Sequence, residues 1–246
     1  MKRIERHKLK ENEFARTVAH ARDLLETRKR DFGIVAIILV VLVIVVGGML
    51  VWRQSRNASA DRALAAAIAI YEAPVVPLAA PAPGSPAPLP QPGTYTTEDA
   101  KLQAALPKFI EAADRYPNTG QGIAARFHAA AILAGMRRDS EAEQRYQEVI
   151  AKAGRTIYAR TAKLGLADVQ VAQGKYDSAI NIYTELSRDA DSQLPLDSIL
   201  LQLGRAYGRA GRKEEAARAF NRVVSEFPQS LYAADARREL EEAKKS

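Results

Sequence analysis

Catalysis needs side chains that move protons, attack electrophiles or hold metals, and this sequence offers few of them. Its 246 residues include no cysteine and three histidines, His7, His20 and His128. The missing thiols exclude disulfides, cysteine-based zinc or iron–sulfur sites, a thiol nucleophile and a lipidated N-terminal cysteine. With three histidines in the chain, neither a multi-histidine metal site nor a histidine-dependent triad is expected. No Walker loop, GxSxG or HExxH occurs. His128, beside Phe127 in a helical stretch, reads as structural or solvent-facing. Glu214-Glu215 begins a predicted helix, where carboxylates favour the macrodipole. No enzyme is expected, and no catalytic residue, cofactor or metal.

The opposite charges Asp168 and Arg205 stand 37 residues apart, and that interval organises the second half of the chain. Ala105, Ala142, Ala179 and Ala216 share it, and four positions after each comes an aromatic: Phe109, Tyr146, Tyr183 and Phe220. Upstream, Ala129-Ala130, Leu166-Ala167 and Leu203-Gly204 keep the same spacing. Gly174 and Gly211 occupy equivalent turns, with Arg137 in the first copy. Tyr116-Pro117-Asn118-Thr119 ends one copy and Phe227-Pro228-Gln229-Ser230 ends the last. Aromatics make up 7% of the chain, so four on one register mark a true internal repeat.

These residues resemble the tetratricopeptide repeat (TPR), which wants a small residue where helix A meets helix B, then alanine and an aromatic on B, and proline at the end. The best copy is 197–230, with Leu203-Gly204, Tyr207, Gly211, Ala216, Phe220, Val223 and Pro228 in register. Copy 160–193 has Gln170 and Asp191 where tyrosine and proline are usual, and copy 123–156 departs further. An incomplete copy supplies helix B over 105–117, with Pro107 expected to start or kink it, and its helix A is expected near 57–73. Residues 231–245 read as a terminal capping helix. The resemblance implies an all-α solenoid of about three full repeats plus flanking helices.

It also implies a concave surface lined by the A helices. The candidate partner-binding residues are Phe127, Ala131 and Ala134 in the first copy, Leu164, Asp168 and Val171 in the second, and Leu201, Arg205 and Arg209 in the third. Its N-terminal part is apolar and its C-terminal part charged. A chaperone-type carboxylate clamp would need Lys and Asn where Phe127 and Ala131 stand, so that ligand class is not expected. Asp168 and Arg205, on neighbouring A helices, are expected to pair with each other.

The N-terminal quarter has a different character. Phe32 to Trp52 is an uncharged run of 21 residues between Asp31 and Arg53. At about 1.5 Å per residue it spans a hydrocarbon core of roughly 30 Å, with Trp52 where an interfacial aromatic belongs. The charged segment before it is too long for a signal-peptide n-region, so a retained transmembrane helix over 32–52 is expected. Residues 1–31 carry ten basic and six acidic side chains, with Arg28-Lys29-Arg30 against the apolar run. The positive-inside rule then puts the N-terminus in the cytoplasm and 53–246 across the membrane. Phe14, Val18, Ala21 and Leu25 give the tail one apolar helical face. Helical spacing of Leu64, Ile68 and Tyr71 predicts a helical stalk over 53–73. Eight of the 12 prolines crowd into 74–92, so 74–96 is expected to be an extended, largely disordered linker, with PxxP spacing at Pro74–Pro77 and Pro83–Pro86. The TPR domain then covers 97–246.

At whole-chain level this order of basic tail, single apolar helix and repeat domain resembles the ancillary subunit family of the bacterial SecYEG translocon. That resemblance implies an inner-membrane, single-pass scaffold whose extracytoplasmic TPR domain binds exported polypeptides, the translocon or chaperones. A structural component of an envelope-assembly or cell-division complex is the alternative. The net charge of +7 does not point to nucleic acid, because the repeat region is nearly balanced, with 26 basic and 23 acidic side chains over 53–246.

Overall fold

The computed structural model describes residues 29–78, 89, 91–189 and 193–245. Nine helices lie among them: α1 Lys29–Tyr71, α2 Glu98–Arg115, α3 Gly120–Gly135, α4 Asp139–Ala153, α5 Ile157–Ala172, α6 Tyr176–Arg188, α7 Leu196–Arg209, α8 Lys213–Glu226 and α9 Ala233–Lys245. The chain divides into two compact units, residues 1–56 and 57–246. The expected amphipathic face of the tail, at Phe14, Val18, Ala21 and Leu25, lies outside the described residues.

In the first unit, every residue of α1 from Ile37 to Trp52 is exposed. The helix is long and apolar enough to cross a membrane. The Arg56 guanidinium lies over the Trp52 ring, 4.9 Å from its centre, pairing a cation with an aromatic face at the end of the apolar run.

In the second unit, α2 to α9 pack each on the next, as an all-helical solenoid requires. The last turns of α1 belong here. Ala67 is fully buried among Ala105, Phe109 and Ala129, with Ala63, Leu64, Ile68 and Ile70 packed around them. Gln121 donates to the Asp61 carboxylate at 2.7 Å, and the Tyr71 ring meets Phe109 edge-on at 6.0 Å. Residues 57–71 thus act as the helix A that the incomplete first copy lacks.

The helix B of that copy starts earlier than 105. Thr97 caps α2, its hydroxyl accepting from the Ala100 N–H at 3.1 Å, with Glu98 and Asp99 in the first turn. Pro107 therefore lies inside the helix and does not begin it. The proline-rich insertion between α1 and α2 has a closed neck. Val76 N–H donates to the Tyr95 carbonyl at 2.8 Å, and Tyr95 N–H to the Pro74 carbonyl at 3.0 Å. These two bonds hold the insertion's ends side by side, so at its base it is a loop rather than an open linker. The Pro83–Pro86 spacing lies outside the described residues.

The repeat register is the packing register. Ala105, Ala142, Ala179 and Ala216 are at most 1% exposed, and Phe109, Tyr146, Tyr183 and Phe220 at most 4%. Neighbouring helices come so close that a Cβ at Gly204 would stand 2.4 Å from the Phe220 ring, and one at Gly165 would stand 2.5 Å from Tyr146. Position 128, one repeat before Gly165, instead carries His128, stacked on Phe109 at 5.0 Å. The repeat ends are helix starts. Thr119 hydroxyl donates to the Tyr116 carbonyl and accepts from Gly122 N–H, both at 3.0 Å, while Ser230 hydroxyl accepts from Tyr232 N–H. Arg126, 3% exposed, joins three helices. Its guanidinium donates to the Ala113 carbonyl at 3.0 Å and reaches Glu148 at 2.8 Å and Asp114 at 3.4 Å.

Two outcomes follow. Burial pushes the Tyr146 hydroxyl up to about 12, and Tyr146→Ala empties a slot filled from both sides. It should destabilise the fold by roughly 3 kcal/mol or more in urea denaturation; an unchanged midpoint refutes the packing role. Burial also lowers the pKa of His128, only partly offset by Glu72. The unfolded chain therefore takes up that proton first, and stability should fall as pH drops below about 6.5. His128→Leu should flatten that part of the pH profile, and an identical slope in both proteins rejects the assignment.

Candidate functional site

The A-helix face of the second and third full repeats encloses a groove of about 620 Å³. Asp168, Val171 and Ala172 come from α5, Tyr176 and Tyr183 from α6, and Gln202, Arg205, Ala206 and Arg209 from α7, with Arg137 from the turn after α3. Helical spacing explains the grouping. Residues 202, 205, 206 and 209 share one stripe of α7, and 168, 171 and 172 share one of α5. A second cavity of about 370 Å³ shares Arg205 and Arg209 and continues past Lys213 and Phe220 to Glu239 and Glu242 on α9.

Asp168 and Arg205 do not pair, contrary to the expectation from their spacing. The Tyr183 hydroxyl donates to the Asp168 carboxylate at 2.5 Å, and Arg205 turns the other way, to Glu239 at 2.7 Å and Asp235 at 3.6 Å. The reason is local. Tyr183 rises from the helix B packed against Asp168, and the capping helix places two acids within reach of Arg205. Asp168 is solvent-accessible, yet the surrounding helices displace enough water to raise its pKa, and the tyrosine hydrogen bond pulls it partly back. Tyr183 is pushed far above the usual phenol range by burial, then by the adjacent carboxylate and the bond donated to it, with Arg209 opposing. At the groove's edge Lys175 donates to Glu143 at 2.8 Å and holds that carboxyl below its usual range. Arg209 is exposed and forms no ion pair among the described residues.

Of the residues expected on the concave surface, the groove gathers Asp168, Val171, Arg205 and Arg209. Leu201 is corrected: at 2% exposure it lies in the core between repeats and offers no surface to a partner. Its equivalents behave similarly, about 100° round the helix from the groove stripe. Leu164 packs against the same core as Leu201, and Phe127 packs against Tyr146 and Tyr158 with ring centres 6.0 and 5.9 Å away. Ala131 and Ala134 are half-buried on α3 and do not line the groove. Sequence reasoning missed Gln202, Tyr176 and the Tyr183 hydroxyl. Gln202 was legible, because it stands three residues before Arg205 on the same stripe. The double role of Tyr183, ring in the core and hydroxyl in the groove, was not. Among the described residues no group of three or more His, Asp or Glu side chains is placed to hold a metal.

A family described as tetratricopeptide repeat-like domain matches residues 30–230. The chain belongs to that family. The match begins within the first helix, so the apolar run of this TPR-like chain lies inside the family's extent. Among solved structures it is similar to the nearly identical TPR-like repeats of a Podosopora anserina protein described as a kinesin light chain, at 17% identity and a TM-score of 0.52, over 60% of this chain and 79% of that one. A tetratricopeptide repeat protein from Parabacteroides merdae aligns with a TM-score of 0.50 at 17% identity, over 60% of this chain and 55% of that one. At such identities these likenesses speak for the fold alone. Comparison with curated proteins finds no match. TPR-like domains of this kind serve as scaffolds for protein–protein interaction.

The raised pKa of Asp168 means the folded protein holds that proton more tightly than the unfolded one. Its contribution to stability is therefore largest below the ordinary carboxylate value of about 3.9 and is lost as pH rises through the folded pKa. Asp168→Asn keeps an acceptor for Tyr183 and removes the charge. Stability at neutral pH should stay level or rise, and the gain on acidification should shrink in urea melts. A marked loss of stability at pH 7 would show that the ionised carboxylate is required.

Proposed function

We propose that this TPR-like protein is a non-catalytic scaffold, anchored in the bacterial inner membrane by α1, with its repeats on the extracytoplasmic side. One observation carries the reading: a family-typical repeat solenoid shares its first helix with an apolar run whose side chains are all exposed from Ile37 to Trp52. Exposed apolar surface of that length is costly in water and favourable in lipid. The ten basic residues of 1–31 support a cytoplasmic N-terminus. The groove around Asp168, Arg205 and Arg209 is the proposed partner-binding surface, with Val171 on its apolar side. Polypeptides at the outer face of that membrane are the proposed partners, in an ancillary role at the translocon or with its chaperones. The architecture of tail, anchor and repeats supports this. A structural place in an envelope-assembly or division complex is the second reading, favoured by the same repeat surface.

Crosslinking in native membranes followed by purification separates the two. Recovery of translocon components or exported chains is the expected result, and recovery of cell-wall or division proteins alone rejects the first reading. Protease added to the outer face should digest residues beyond 53 and spare the tail. The opposite pattern rejects the orientation.

A further inference from the structure

The charges that face the groove do not cancel. Asp168 is engaged by the Tyr183 hydroxyl, and Arg205 is drawn toward Glu239 and Asp235 of α9. Arg209 is exposed and has no ion pair among the described residues, while Arg137, 71% exposed at the lip, has only a 3.7 Å approach to Asp139. Two guanidinium groups are therefore left to act on whatever enters.

Arg137 stands out independently by its backbone. Its φ is +60°, whereas the same turn in the next two repeats is made by Gly174 at +77° and Gly211 at +76°. Glycine adopts this conformation without steric cost, and arginine holds it against the clash of Cβ with the backbone. A strained residue whose replacement by glycine is the repeat's own solution points to a use for its side chain. That side chain lines the groove.

We propose that the groove binds an extended acidic polypeptide segment, its carboxylates gripped by Arg137 and Arg209. This deepens the scaffold reading and rests on it. The remaining lining fits such a chain: Val171, Ala172 and Ala206 give an apolar floor, and Gln202 supplies an amide for backbone hydrogen bonds. The positive stretch ends at Glu239 and Glu242 on α9, so the acidic residues lie toward the Arg137 end. Guanidinium forks suit carboxylates, and peptide length suits a groove formed between successive helices.

The test uses the full chain in neutral-lipid nanodiscs and fluorescence anisotropy with a glutamate-rich peptide and its glutamine counterpart. The glutamate peptide should bind at least about tenfold more tightly, and more weakly as salt rises. Arg209→Gln should weaken it about tenfold. Arg137→Gly should do the same without lowering the melting temperature, since glycine relieves the turn, so lost binding there is not lost folding. Arg209→Glu should shift preference toward a lysine-rich peptide. Equal binding of the two peptides, no binding of either, or indifference to both arginine variants overturns the proposal. The scaffold reading then stands or falls separately, on the crosslinks in native membranes. Displacement of the peptide by anionic phosphatidylglycerol vesicles, with the same arginine dependence, overturns it in favour of lipid headgroups.

Discussion

A TPR helix pair cannot bury its apolar stripe alone, and everything in the 57–246 unit depends on how neighbours cover it. At two places the contact is an aromatic ring against a glycine, and at Phe109 it is a ring stacked on His128. Phe220 lies over Gly204 and Tyr146 over Gly165, each at a distance a Cβ could not share. Once the rings are seated, the alanines four residues before them must be buried too, and all four are. Interiors packed at crystal-like density tolerate few alternatives, so the 37-residue spacing persists even where other positions drift.

The groove is built from those drifting positions. Residues 131, 168 and 205 are equivalent by register yet carry alanine, aspartate and arginine. The turn position shared by Gly174 and Gly211 becomes Arg137 in the first copy. Position 183 keeps its ring in the core, where the register demands it, and extends its hydroxyl to Asp168. Core and groove therefore meet in one side chain, and the electrostatics of the site inherits the rigidity of the packing beneath it. The capping helix contributes as well, because Glu239 orients Arg205 away from Asp168 and leaves the carboxylate to the tyrosine.

The first helix changes character along its sequence. From Ile37 to Trp52 its side chains are exposed and apolar. From Asn57 on it follows the amphipathic pattern of a repeat helix, with Ala67 fully buried and Asp61 bonded to Gln121. The proline-rich insertion that follows interrupts the first helix pair without separating it, because two backbone bonds close its neck.

How much of this was legible beforehand depends on the range of the forces involved. Periodic burial is a local property written at every repeat, so Ala105, Phe109 and their equivalents, the turns at Gly174 and Gly211 and the solenoid itself could be read from residue types and spacing. The apolar run of α1 was legible for the same reason, being continuous in the chain. Side-chain partners were not. Asp168 and Arg205 have the spacing of a pair, but each found a nearer partner on another helix, Tyr183 and Glu239. Leu201 reads as concave by its position, and a rotation of one residue turns it into the core. Hydrogen bonds and ion pairs are decided over a few ångströms between elements distant in sequence, so their choice waited on the successive packing of α5 to α9.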